Sequence, residues 1–365
     1  MATKMARLVA IGAVAATTAV GSPAWASDGG PQTQPTPRFD VINQVSDQAL
    51  TQDSQRPALV DPNAVNTWGL ALGPDTPLWV ANNGTDTATV YSGGVNGELV
   101  DKVNITVSVP GGPTGAVFND TAGFAVPDTG GGAPARFIFV TEGGDVIAWN
   151  QNAGANGVVV AHGAEGAVYK GATLLHTDSG NFLLAADFHN ARIDVFDQHF
   201  EKVNFSDGRF QDPDLPEGFA PFNVFAVGER VYVSYAKQDA AAHDDVPGEG
   251  LGFVDLFTDV GRSVSRVASQ GTLNAPWGMA IAPSSFGSFA GDLLVGNFGD
   301  GRINVFNGTE FQGQLQDAEG DVITIDGLWA LLPGTATTGG AGTLWFSSGP
   351  NDEQHGLVGQ LIRAN

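Results

Sequence analysis

Three segments of the chain, residues 78–91 (LWVANNGTDTATVY), 183–196 (LLAADFHNARIDVF) and 293–306 (LLVGNFGDGRINVF), lie over one another without a gap. A single hairpin of this kind cannot bury its apolar face alone, so a chain that repeats it has to build its core from like units packed together. In each segment an apolar run ends at Asn82, Asp187 or Asn297, crosses a turn and resumes with alternating apolar residues, the pattern of a β-hairpin. A second phrase recurs upstream: TWGLA at 67–71, PTGAV at 113–117, YKGAT at 169–173 and PWGMA at 276–280, with weaker copies around Asn223 and Trp329. These make six copies spaced by about 50 residues, the scale of one four-stranded propeller blade.

Composition agrees with an all-β six-bladed propeller. With 50 glycines and 20 prolines in 365 residues and no collagen-like period, the chain has many turns and hence many short strands. The glycine of the inner-strand phrase has a physical reason there, because inner strands crowd the axis and a residue without a side chain lets backbones approach. The sixth copy runs out after three strands, near Ile362. The alternating run FDVINQV, beginning at Phe39 and ending at Val45, fits no repeat, and it is expected to supply the missing outer strand and close the ring.

The N-terminus carries Lys4 and Arg7, an apolar run from Leu8 to Val20 and the small-residue motif Ala24-Trp25-Ala26. This reads as a secretory signal cleaved near Ala26. The expected organisation is a signal peptide at 1–26, a disordered leader at 27–38 rich in Gly, Pro, Gln and Thr, and one propeller domain at 39–365. No other stretch approaches about eighteen uninterrupted apolar residues, so no membrane anchor is expected and the product is placed outside the cytoplasm, secreted or periplasmic. A formal charge of −23 disfavours nucleic acid and anionic membrane surfaces as partners, and a monomer is expected. The absence of cysteine removes disulfides, thiolate nucleophiles and cysteine metal sites.

Residues 276–280, 291–295 (GDLLV) and 301–306 (GRINVF) resemble an NHL repeat. The chain more closely resembles a family of uncharacterised exported bacterial proteins with NHL-like propellers, through residues 66–70 (NTWGL), 218–223 (GFAPFN), 235–239 (YAKQD), 243–246 (HDDV) and 349–356 (GPNDEQHG). Some members of that family end in a C-terminal sorting tag, which this sequence does not show. The resemblance implies a fold and an address but no activity. More distantly the chain resembles the gluconolactonase and paraoxonase-like propellers, which hold an axial calcium ion with Glu, Asn and Asp ligands and hydrolyse lactones or esters. The first-blade glutamate of those enzymes has no match here, where Asn66 and Trp68 stand. In that geometry the loops before the inner strands and the tips between second and third strands share one face.

The candidate residues fall on that face. Long insertions in the fourth and sixth tips carry Asp239, His243, Asp244, Asp245 and Glu249, and Asn351, Asp352, Glu353 and His355; the third tip carries Asp187 and His189. Carboxylate and amide oxygens suit calcium, and histidine adds copper or zinc. The candidate metal ligands are Asp187, His189, Asp239, His243, Asp244, Asp352, Glu353 and His355. An Asp or Asn at a hairpin tip also serves its own turn, which Asn82 and Asn297 favour for Asp187. The residue before the inner-strand glycine in four copies, and at the same place in the two copies without it, gives the ring Trp68, Thr114, Lys170, Asn223, Trp277 and Trp329, read either as an apolar cup with polar handles for a ligand or as an axial plug. A lysine near the axis needs a partner, from Glu142, Asp187 or Asp326. Lys170 and His189 are the candidates for catalysis.

Three functions follow. The first is a binding module whose metal-capable loop face recognises a small molecule, glycan or exported protein. The second is a calcium-dependent lactone or ester hydrolase, in which the ion polarises a carbonyl and a carboxylate or His189 activates water. The third is a quinone- or copper-dependent oxidoreductase using His189, His243 and His355.

Overall fold

Alternating apolar residues and frequent turns fold five of the repeats into four-stranded antiparallel sheets and the sixth into three antiparallel strands of a larger sheet. The computed structural model describes residues 36–49, 59–127, 132–204 and 208–364, all within the compact unit Thr36–Asn365. The expected signal peptide and residues 27–35 of the expected leader lie outside the described residues, and Arg38, placed in that leader, opens the first strand. Six sheets form a six-bladed β-propeller. Blade 1 runs Thr67–Ala71, Leu78–Asn82, Thr87–Gly93 and Val100–Ser108; blade 2 begins at Pro113–Phe118, blade 3 at Tyr169–Thr177, blade 4 at Phe219–Val227, blade 5 at Pro276–Ile281 and blade 6 at Leu328–Pro333.

Ring closure comes from the N-terminal run. Strand Arg38–Ser46 pairs antiparallel with Leu357–Arg363, with Val41 opposite Leu361 and Val45 opposite Val358, and completes blade 6. The alternation that set this run apart buries Phe39 against Phe286, with ring centroids 4.5 Å apart. Two short strands, Leu59–Val60 and Gln316–Asp317, add parallel pairs to the outer side of Arg38–Ser46 and cover the edge that closure would otherwise leave open.

Inner strands of neighbouring blades nearly touch. A Cβ on Gly69 would stand 2.2 Å from the Thr114 carbonyl oxygen, and one on Gly278 would stand 2.5 Å from that of Trp329. Between blades the core is aromatic and aliphatic. Trp79 of blade 1 stacks on Phe137 of blade 2 at 4.3 Å, and burying one such indole contributes roughly 4–6 kcal/mol before entropy is subtracted. Buried Asp61, in the connection that follows the closing strand, accepts hydrogen bonds from Tyr91 Oη at 2.7 Å and Lys102 Nζ at 2.8 Å. Burial works against its charge, but Lys102 and Tyr91 outweigh it and hold the Asp61 carboxyl below its usual range. The N-terminal closure is thereby tied to blade 1.

Candidate functional site

The inner strand Tyr169–Thr177 starts on the tip face and brings Lys170 to the axis there, with only 2% of the residue exposed. Its Nζ lies 2.5 Å from Glu142 Oε1 and 3.0 Å from Asp244 Oδ1. Glu142 follows strand Phe137–Thr141 in the second tip. Asp244 comes from the long insertion between Arg230–Lys237 and Gly252–Thr258. That insertion is folded by Asp239, whose Oδ1 accepts from the backbone N–H of Ala241 at 3.1 Å and of His243 at 2.9 Å. His243 Nδ1 then meets Asp244 Oδ1 at 2.9 Å.

Two amides extend the cluster across the axis. Asn83 Nδ2 donates to Glu142 Oε2 at 2.8 Å, and Asn66 Nδ2 donates to Glu353 Oε2 of the sixth tip at 2.5 Å. Asn66 Nδ2 also reaches Asn83 Oδ1 at 3.2 Å, while Asn66 Oδ1 accepts from Trp329 Nε1 at 3.0 Å. Both amides therefore turn nitrogen toward the carboxylates and spend their oxygens within the network.

Charge and burial oppose one another here. Burial disfavours the Lys170 ammonium, but the charges and hydrogen bonds of Glu142 and Asp244 outweigh it and raise its pKa, so the lysine stays protonated. Asp244 is likewise disfavoured by burial yet held below its ordinary range by Lys170 and His243. Asp245 is pushed up to about 7, chiefly by burial; Lys170 pulls it back, and Glu353 and Asp244 push it further. Its Oδ2 is buried and has no hydrogen-bond partner among the described residues. Burial also raises Glu353, against the Asn66 bond and with help from Glu142 and Asp244.

Beneath the carboxylates the axis is filled. Trp68 stacks on Trp329 at 3.6 Å, Phe298 stacks on the same Trp329 at 3.9 Å, and Trp277 meets Trp329 edge-on at 5.9 Å. Lys170 Nζ sits 5.3 Å from the Trp68 ring centroid. Trp277 Nε1 donates to the Lys170 carbonyl and Asn223 Nδ2 to the Trp277 carbonyl, both at 2.8 Å, while Thr114 Oγ1 donates to the Tyr169 carbonyl at 2.7 Å. The six residues read as a ring are thus brought together and all buried, and their indoles pack as a plug. A cavity of about 320 Å³, lined by Leu70, Ala116, Val224 and Met279 among others, lies toward the opposite ends of the inner strands.

The other sequence candidates separate. Asp187 is fully buried and serves its turn, accepting from Asn190 N and Nδ2 and from Val168 N. His189 is exposed and packs beside Gly166. His355 Nδ1 meets Asp47 Oδ2 at 2.9 Å, and Asp352 is exposed. His243 and Asp244 come together with Glu142, their ligand atoms within 4.8 Å of one another, and Glu353 joins the same carboxylate group. Of the three partners open to Lys170 in the sequence, the structure takes Glu142 and adds Asp244. Asp245, Asn66 and Asn83 complete the site without having been singled out as ligands.

A resident calcium ion needs six to eight oxygens at about 2.3–2.6 Å. Here Lys170 already bonds Glu142 and Asp244, and the amide oxygens of Asn66 and Asn83 are engaged elsewhere. These residues do not fit an axial calcium site.

Fold and site define the class: a six-bladed β-propeller whose tip face gathers carboxylates around a buried lysine. The chain belongs to the family of two uncharacterised proteins of Acanthamoeba polyphaga mimivirus, R648 and L690. R648 is 30% identical over 339 residues, covering 90% of this chain and 82% of the relative. L690 is 32% identical over 315 residues, covering 83% and 81%. Both relatives are viral, so they do not carry the expected kinship with exported bacterial proteins. No family model matches the chain. Among solved structures, a Bacteroides thetaiotaomicron protein of unknown function superposes with a TM-score of 0.53 at 12% identity, covering 89% of this chain and 76% of that one. Streptogramin B lyase superposes with a TM-score of 0.50 at 11% identity, covering 89% and 97%. The aldose sugar dehydrogenase of Streptomyces coelicolor superposes at 0.50 with 13% identity, covering 91% and 100%. At such identities these likenesses show the fold alone.

Proposed function

We propose that the protein is an exported binding propeller whose tip face captures a cationic group, an ammonium or guanidinium carried by a small molecule, a glycan or a protein. Export rests on the signal-like sequence of residues 1–26. The observation that carries the binding reading is Asp245. Among the described residues its buried Oδ2 lacks a partner, and the carboxyl is pushed up to about 7 in a cluster where Glu142, Asp244, Asp245 and Glu353 surround the Lys170 ammonium. A ligand cation supplies the missing charge and donor together, and hydrogen bonds to charged groups are worth about 1.5–3 kcal/mol.

Calorimetric titration with a short lysine-rich peptide tests this. Binding is expected, with affinity at least about tenfold lower in Asp245→Asn and for the acetylated peptide. Equal binding of the acetylated and free peptides would sink the reading.

A second reading, lactone or ester hydrolysis, draws on the same carboxyl, because a group near 7 suits proton transfer at neutral pH. Lys170, held protonated, is then an electrostatic group and not a base. Turnover of a lactone panel that is lost in Asp245→Asn would favour this reading over capture.

A further inference from the structure

We infer that the Lys170 ammonium is this propeller's own axial cation: it fills the place among the tip-face carboxylates that a divalent ion would take, and the face works without a metal. The inference goes beyond the capture of ligand cations proposed above and rests on a different residue.

Among the described residues Glu142, His243 and Asp244 form a cluster that could hold a metal, their ligand atoms lying within 4.8 Å of one another. Lys170 Nζ is bonded to two of those three groups, at 2.5 Å to Glu142 Oε1 and 3.0 Å to Asp244 Oδ1. The remaining Glu142 oxygen accepts from Asn83, and His243 Nδ1 is spent on the same Asp244 Oδ1. An ion that takes Glu142 and Asp244 Oδ1 as ligands competes with the lysine for both carboxylates and with the Asn83 and His243 hydrogen bonds as well.

The lysine itself is held so that it cannot leave cheaply. It is 2% exposed, its carbonyl accepts from Trp277 Nε1, and its ammonium faces the Trp68 ring at 5.3 Å. A buried cation without its carboxylates is costly, and so are buried carboxylates without their cation. The tip therefore carries its counter-charge in the chain, on the inner strand of blade 3. A lysine supplies one positive charge at fixed geometry where calcium supplies two with flexible coordination. This leaves the face net negative and open to a further monovalent group at Asp245 and Glu353.

The experiment uses calcium as the probe at constant ionic strength. For the native protein, calorimetry is expected to show no stoichiometric calcium uptake and a chelator to leave the thermal midpoint within about 1 °C. For Lys170→Ala, the midpoint is expected to fall by about 5–10 °C, as removal of one partner of a buried ion pair predicts for a domain of this size. Added calcium is expected to restore more than half of that fall, saturating at one ion per chain. One calcium bound tightly by the native protein overturns the inference. So does a Lys170→Ala protein indifferent to calcium. Where Lys170→Ala does not fold, Lys170→Met is measured in the same way, and the native-protein titration decides by itself if neither variant folds. Loss of peptide capture with calcium behaviour as expected would count against the proposed ligand alone, so the two readings fail separately.

Discussion

At Asp245 a single carboxyl links stability, pH and binding. Its ordinary range is near 4, and burial in the tip cluster pushes it up to about 7. The folded state then binds the proton more tightly than the unfolded state. The stability carried by this group is complete below about pH 4 and is lost as pH rises through 7. Asp245→Asn removes the charge and keeps the shape, so it is expected to stabilise the fold by about 1–2 kcal/mol at pH 8, after allowance for the part exposure of the loop. The gain shrinks toward zero near pH 4. Urea unfolding at both pH values checks this, and an equal difference at the two would mean that burial of charge at Asp245 is not what the substitution relieves. Lys170 was legible in the sequence because a charge beside an axis demands a partner, and Glu142 stood among its three candidates. Asp245 was not singled out, because nothing in HDDV tells which of two adjacent acids the folded insertion will bury. The oxygens of Asn66 and Asn83 were equally unreadable, since their use depends on Trp329 and on each other across the axis.

Among the elements, the closing strand Arg38–Ser46 should behave as core although it lies far from its partner in sequence. Phe39 is fully buried between blades 5 and 6 beside Phe286 and Leu361, whereas Phe311 on the outer strand of blade 5 is 48% exposed. Phe39→Ala is expected to cost about 3–5 kcal/mol and Phe311→Ala less than about 1 kcal/mol, by denaturant unfolding. Similar costs for the two would show that closure through this strand adds little to the ring. This element could be read in advance because FDVINQV alternates and fits no repeat while the sixth copy lacks a strand. The hairpins were readable for the same reason of period. Their ends were not: in the fourth repeat the long insertion hides where Arg230–Lys237 stops and Gly252–Thr258 begins. Leu59–Val60 and Gln316–Asp317 left no signal, since two residues carry no period and their pairing depends on an edge that exists only once the ring closes.

Over the whole molecule, the formal charge of −23 and the carboxylates at the tip act in the same direction on a cationic ligand. Long-range attraction raises the rate of encounter and is screened by salt beyond about 10 Å at 0.1 M. The short contacts to Asp245 and Glu353 are screened much less. Self-repulsion among the surface acids acts against the fold and is screened too. Raising sodium chloride from about 0.05 to about 0.5 M is therefore expected to move stability and capture in opposite directions. The thermal midpoint rises as repulsion is relieved, while affinity for a lysine-rich peptide falls by about tenfold, mostly through slower association. Stopped-flow association beside thermal melts over one salt series separates the two effects. A peptide affinity that holds constant while the midpoint climbs would mean that recognition runs through apolar contacts and not through the tip carboxylates, because burial of apolar surface does not weaken with added salt. Whether the affinity falls with salt thus decides whether the acidic excess of this chain takes part in recognition or serves solubility alone.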